Sequence, residues 1–373
     1  MSEGQAIQEP VSHPAPTAPR RRRQTVEMPR VRLTRRRLVA SIVFVVSVPA
    51  FLYFVLPKLL GLQETWNRIQ HGDPWWFALA AILEVLSFVS YVALFKAVLA
   101  RGIPRVGWRE SYEITMASLA ATRLFAAAGA GGIALSAWAL RRAGLGPRTV
   151  AARIIAFLVL LYGVYMGAFV IDGLGLYTGV LPGPHPFAIT VVPAIFGAVV
   201  ITIFLGAAFL RGDPEAFVRR WATGEHWAGR LARRAAALPA TVSVGVRMAI
   251  GLIRTRDPYL LGAVGWWGFD IAVLWACFHA FGNAPPKAVI VMAYFVGMLG
   301  NTLPLPGGIG GVDGGMIGAF TAFGVDVELA VVSVLAYRAF AFWLPTVPGG
   351  IAYFQLRRTV HRWRAAEAAP SYT

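Results

Sequence analysis

Apolar residues in this chain come in long unbroken runs, and most of the charge is confined to the segments between them. Six runs, at about 38–60, 75–99, 149–173, 187–210, 258–281 and 327–356, each have the length an α-helix needs to cross the hydrocarbon core of a bilayer, about 20 residues. A soluble domain would set polar faces against apolar ones within each element, and these runs do not. The pattern predicts an all-α, polytopic membrane helix bundle. Two further apolar stretches, 111–140 and 288–323, are interrupted by glycine.

Charge placement supplies the topology. Lysine and arginine number 35 against 18 acidic residues, a formal net charge of +17. The arginines lie mostly between the runs, as the positive-inside rule expects of cytoplasmic loops, so nucleic acid is not expected as a partner. Residues 1–37, with "RRRR" at 20–23 and "RRR" at 35–37, read as a disordered basic cytoplasmic tail ahead of a signal anchor, because no cleavage pattern is evident. Arg101, Arg105 and Arg109, then Arg141, Arg142 and Arg148, and then the loop 211–257 mark the cytoplasmic side. The segment 174–186 has no Lys or Arg, and 282–287 has only Lys287, so both are expected outside. The domain 38–356 then ends in a cytoplasmic C-terminal tail, 357–373, and both termini are cytoplasmic.

On this assignment 111–140 has cytoplasmic arginines at both ends, whereas 288–323 begins and ends outside. Each is expected to enter and return as a re-entrant hairpin, the two from opposite faces. Placing Leu124 against Leu303 sets "LFAAAGAGGIA" over "LPLPGGIGGVD" and aligns Gly129, Gly131 and Gly132 with Gly308, Gly310 and Gly311. Further on, "RIIAF" at 153–157 echoes "RAFAF" at 338–342. Each half reads span, span, hairpin, span, which predicts two inverted repeats with a transport site near the midplane.

The breaks carry the candidate chemistry. An unsatisfied amide costs several kcal/mol in hydrocarbon, so non-helical backbone survives only against protein or in a wet cavity. Pro304 and Pro306 would end the incoming helix, Gly307, Gly308, Gly310 and Gly311 would let a ligand approach the backbone, and a new helix would start near Asp313. Free amides at a helix start favour an anion, which points to a lipid phosphate, with Asn301 just ahead of the turn. A plainer reading has the glycines serving only close helix packing and Asp313 only a helix start. Glu84, Arg123, Arg153, Asp270 and Arg338 fall inside apolar runs, where an ionised side chain costs about 2.5–3.5 kcal/mol and so requires a partner or a ligand. The arginines suit phosphate; Glu84 and Asp270 could balance them, receive a cationic headgroup or carry protons. Asp172 and Lys96, near run ends, read as interfacial. Within 211–257 the stretch "PEAFVRRWATGEHWAGRLARRAA" predicts an interfacial amphipathic helix whose basic face sets orientation or attracts anionic lipid.

The string "NTLPLPGGIGGVDGG", followed by "GV" at 324–325 and "YRAFAFWLPTVPGG" at 337–350, resembles the flippase-like membrane domain of lysylphosphatidylglycerol synthases and its stand-alone YbhN-type relatives. "LAATRLFAAAGAGG" with "ALRRAGL" is similar to that family's first Gly-rich segment, and the resemblance spans about 38–356. It implies a domain that moves an aminoacylated phospholipid from the inner to the outer leaflet. Asp313 stands where the family tends to have Glu, and Ala126 and Ala127 stand where relatives often have proline. No aminoacyl-transferase domain follows residue 356 in this sequence, so the expected cargo is another phospholipid or lipid-linked headgroup.

The leading expectation is therefore a lipid translocase and not an enzyme, without cofactor or metal. No phosphate-binding Walker motif is present, so ATP is not expected as a direct fuel. The single cysteine, Cys277, excludes an internal disulfide framework or a cysteine metal cluster. The rival readings are a membrane transferase acting on a lipid phosphate or polyprenyl carrier, and a non-transporting scaffold for envelope synthesis. Abundant Ala and Arg point to a bacterial cytoplasmic membrane.

Overall fold

The computed structural model describes residues 72–124, 130–209, 227–303 and 308–368, and every regular element among them is helical. The first apolar run, 38–60, lies outside them. In chain order the helices are α1 (Pro74–Val98), α2 (Trp108–Leu124), α3 (Ala130–Arg142), α4 (Pro147–Tyr177), α5 (Phe187–Phe209) and α6 (Trp227–Arg254). There follow α7 (Gly262–Phe281), α8 (Lys287–Met298), α9 (Gly311–Ala322), α10 (Val327–Arg338) and α11 (Thr346–Ala368). A 3-10 turn, Pro258–Leu261, leads into α7, another, Leu299–Thr302, follows α8, and a π turn, Ala339–Trp343, follows α10.

Among the described residues five segments are long and apolar enough to cross a membrane: Pro74–Val98, Pro147–Tyr177, Phe187–Ala208, Pro258–Phe281 and Val327–Trp363. The chain is a multi-pass membrane protein. Outward faces of these helices carry exposed Ile82, Val85 and Val89 on α1 and Ile195, Val199 and Ile203 on α5. In lipid that exposure costs nothing.

Helix starts follow from local chemistry. The Asp73 carboxylate accepts the Trp75 amide at 2.9 Å with Pro74 in the first turn, and Asp326 accepts the Leu329 amide at 2.9 Å, each satisfying a donor that the helix cannot. Packing then relies on absent side chains. A Cβ at Gly262 would lie 2.2 Å from the Ser90 carbonyl oxygen, so α7 meets α1 backbone to backbone. The Asp73 amide donates to the Ala280 carbonyl and the Ser87 hydroxyl to the Trp266 carbonyl, so α1 and α7 run antiparallel along most of their length. Gly173 and Gly197 bring α4 equally close to α5.

Both glycine-interrupted stretches reverse direction. Ser118 bonds Ser136 at 2.8 Å, while the missing Cβ of Gly132 faces Thr122, so α2 and α3 are antiparallel. Gly297 faces Met316, and Gly300 faces Gly311 and Val312, so α8 and α9 are antiparallel as well.

Three segments carry detail that the sequence expectation lacked. The run 327–356 holds an irregular turn within one span: Pro345 and Pro348 have no amide to give, and the Leu344 amide reaches back to the Ala339 carbonyl at 3.1 Å, closing the π turn. The C-terminal tail expected from 357 is helical through Ala368, because Thr359 on α11 is tied to α2 by a 2.7 Å bond to the buried Glu113 carboxylate. The expected loop 211–257 contains α6, whose Val246, Ala249 and Leu252 are buried and whose Gly245 sits against Ile155 of α4. The start of the expected amphipathic stretch lies outside the described residues.

Candidate functional site

Glu84 of α1, Asp270 of α7, Asp313 of α9 and Arg338 of α10, all ionisable, are buried, between 2% and 8% exposed. Two tyrosines join them. Successive residues of a helix point about 100° apart, and α10 uses this at Tyr337 and Arg338 to reach two different neighbours. The Tyr337 hydroxyl donates to Asp270 Oδ2 at 3.0 Å, and Tyr294 of α8 donates to the same oxygen. Arg338 Nε pairs with Asp313 Oδ1. Glu84 lies within electrostatic range of Tyr337 and Cys277.

Asp313 has a second duty. Its Oδ2 accepts the Gly310 amide at 2.8 Å, closing the start of α9 just after Gly310 takes the left-handed conformation at φ +81°. Gly308, at φ +68°, is the other left-handed glycine of this turn, and an added Cβ there would strike Asn301 Oδ1. One carboxylate thus fastens the end of the backbone break and holds the arginine of the neighbouring helix. The π turn starts at the residue after Arg338, and the Phe342 ring of that turn lies 5.3 Å from the guanidinium carbon. Two irregular stretches of backbone, one before Asp313 and one after Arg338, are joined through a buried ion pair. Irregular backbone at membrane depth is found where it is covered by protein or lines a cavity.

The other expected site residues fall elsewhere. Arg153 donates to the Leu99 carbonyl at 2.8 Å, at the C-terminal end of α1, fifteen residues beyond Glu84 and so about 22 Å along the helix axis. Gly131 and Gly132 lie in the first turn of α3, where Gly132 seats that helix against the Ser118 carbonyl. Arg123 belongs to α2, with its side chain outside the described residues, as are Gly129, Pro304, Pro306 and Gly307. Asn301 is exposed beside Gly308.

Sequence reasoning missed Tyr294 and Tyr337. Both are large enough to pass for core residues, and only the adjacency of Tyr337 to Arg338 hinted at the second. Asp172, expected near a membrane edge, is 8% exposed and its Oδ2 is sealed without a hydrogen bond.

The profile of the family described as "Lysylphosphatidylglycerol synthase TM region" matches residues 38–349. A UPF0104 membrane protein of Methanothermobacter thermautotrophicus is 24% identical over 333 residues, covering 84% of this chain and 95% of that relative. Another match to a protein of that description in the same organism is 32% identical over 104 residues, spanning 27% of this chain and only 30% of the relative. A UPF0104 membrane protein of Methanocaldococcus jannaschii is 30% identical over 95 residues, 25% of this chain and 28% of that protein.

Proposed function

We propose that this chain, which belongs to the lysylphosphatidylglycerol synthase TM-region family, is a lipid translocase that moves a phospholipid or other lipid-linked headgroup between leaflets. The observation that carries the reading is the buried Arg338–Asp313 pair between two backbone breaks. A guanidinium presents a planar fork of donors suited to phosphate, and a phosphate entering from the bilayer competes with Asp313 for it. The amides at the start of α9 add to the attraction. The acyl chains stay in lipid while the headgroup crosses beside the polar cluster, and Glu84 and Asp270 are the candidates for coupling.

On this reading the α2–α3 and α8–α9 hairpins are re-entrant, entering from opposite faces as parts of two inverted halves. The antiparallel α1–α7 pair supports it, since each helix is the second span of its half and an inverted repeat requires opposite directions. Gly129, Gly131, Gly132, Pro304, Pro306, Gly307, Gly308, Gly310, Gly311 and Asn301 would then line the two breaks, with Arg123 near the first. On the same reading the protein works in a bacterial cytoplasmic membrane, with both termini inside and anionic lipid at the basic cytoplasmic loops.

The test is reconstitution of the full chain in vesicles, following headgroup accessibility of labelled phospholipids. Translocation without chemical change is the expected result. It should be lost in Arg338→Gln and equally in Arg338→Gln/Asp313→Asn, which leaves no unpaired charge. A chemically altered lipid would favour the transferase instead, and intact transport in the double variant would remove Arg338 from the path.

A further inference from the structure

Along α11 one face changes character abruptly. Val347, Ile351 and Phe354 are exposed at 69%, 55% and 61%, and the next positions on the same face are Arg357, Arg358 and His361, also exposed. Each position lies three or four residues from a neighbour in the set, with Arg357 and Arg358 side by side, so the six side chains form one broad stripe. A recess of about 420 Å³ opens at the junction, bounded by Phe354, Arg357, Arg358 and His361. Small-ligand sites occupy roughly 300–1,000 Å³.

Among the described residues no carboxylate pairs with this end of the stripe. Glu113, the carboxylate behind it on α2, is turned inward and accepts from Arg109 Nε at 3.1 Å and from the Thr359 hydroxyl at 2.7 Å. Leu356, Thr359 and Val360 face the bundle. The stripe therefore offers an apolar track about 10 Å long, from Val347 to Phe354, that leads to two guanidinium groups and an imidazole around a recess.

The geometry points to a binding site for one anionic phospholipid of the adjoining leaflet, with its phosphate at Arg357, Arg358 and His361 and its acyl chains along Val347, Ile351 and Phe354. The charge selects an anionic headgroup, and the track requires that the anion carry chains. The site is separate from the Arg338 centre and does not depend on transport. Arginines that merely snorkel to the interface would show no saturable preference among lipids.

The experiment titrates the purified full chain in detergent with dioctanoyl phosphatidylglycerol and, separately, dioctanoyl phosphatidylcholine. Retained lipid is counted by native mass spectrometry and the thermal midpoint is followed. Saturable binding of the anionic lipid in preference to the zwitterionic one is expected. Arg357→Gln/Arg358→Gln should weaken it about thirtyfold, at the usual contribution of a juxtamembrane arginine. The exposed arginines Arg141 and Arg254 supply the charge control, Arg141→Gln/Arg254→Gln, which should bind like the parent. Ile351→Ser/Phe354→Ser should weaken the lipid while leaving charge intact, and Arg357→Lys/Arg358→Lys, which keeps the charge, should retain the preference. Equal affinity for the two lipids, equal loss in the two glutamine variants, or binding of glycerol 3-phosphate as tight as that of the lipid would each overturn the proposal.

Discussion

Arg338, at the last turn of α10, pairs with Asp313 in the first turn of α9, and both are under 10% exposed. Breaking a buried pair from one side costs about 3–5 kcal/mol, because the survivor is left as an uncompensated buried charge. Arg338→Gln should lower stability by about that amount. Arg338→Gln/Asp313→Asn should recover most of it, as measured by unfolding of the detergent-solubilised chain. Additive losses in the double variant would show that the two residues act separately.

The tyrosine pair makes a distinct prediction. Tyr337→Phe removes one of two hydroxyl donors from the Asp270 carboxylate without changing volume. A hydrogen bond to a charged group is worth about 1.5–3 kcal/mol, so the loss should fall in that range. The double change Tyr294→Phe/Tyr337→Phe should cost more than either single one, since both hydroxyl donors go. Stability measured on the four members of the cycle decides it.

Glycines of the second hairpin should split into two kinds. An added Cβ at Gly300 would lie 2.3 Å from the Gly311 carbonyl carbon, whereas at Gly314 it would meet nothing within 4 Å. Gly300→Ala should therefore force the helices apart and cost about 1–3 kcal/mol or more. Gly314→Ala, in a helix interior, should raise stability by about 0.5–1 kcal/mol. Thermal midpoints of the two variants should move in opposite directions.

Asp172 is buried on α4 beside Gly173, where α4, α5 and α8 meet, and its sealed oxygen has no partner. A buried polar atom left unsatisfied costs about 1–3 kcal/mol. Asp172→Leu should be stabilising by about that amount. A loss of stability would show that the carboxyl makes a contact in the membrane that protein alone does not supply.

Helix positions were largely legible from sequence, because in a bilayer hydropathy and length nearly suffice. The runs placed at 75–99, 149–173, 187–210 and 258–281 correspond to Pro74–Val98, Pro147–Tyr177, Phe187–Phe209 and Pro258–Phe281. Partnership was not legible. Arg153 and Arg338 look equivalent in "RIIAF" and "RAFAF", yet one closes the end of α1 and the other meets a carboxylate on a different helix. Which of the two joins a polar centre depends on crossing geometry that no local pattern records. Glu113 escaped notice for the same reason, since its partner Thr359 lies 246 residues away in sequence. The helical continuation past residue 357 was hidden because arginines mark a membrane edge and say nothing about where a helix stops.

Main chain approaches main chain where α8 meets α9, with Gly315 against Gly297 and, just past the end of α8, Gly300 against Gly311. Two rods held this close at their glycines have little room to slide, so they behave as one stiff paddle. Any swing must then be taken up at its roots, where Gly282, with φ +153°, precedes Pro285 and Pro286 and where Gly324, with φ +80°, precedes α10. Such a swing would carry Asp313 away from Arg338 in a single stroke, converting a small rotation at those roots into release of the guanidinium.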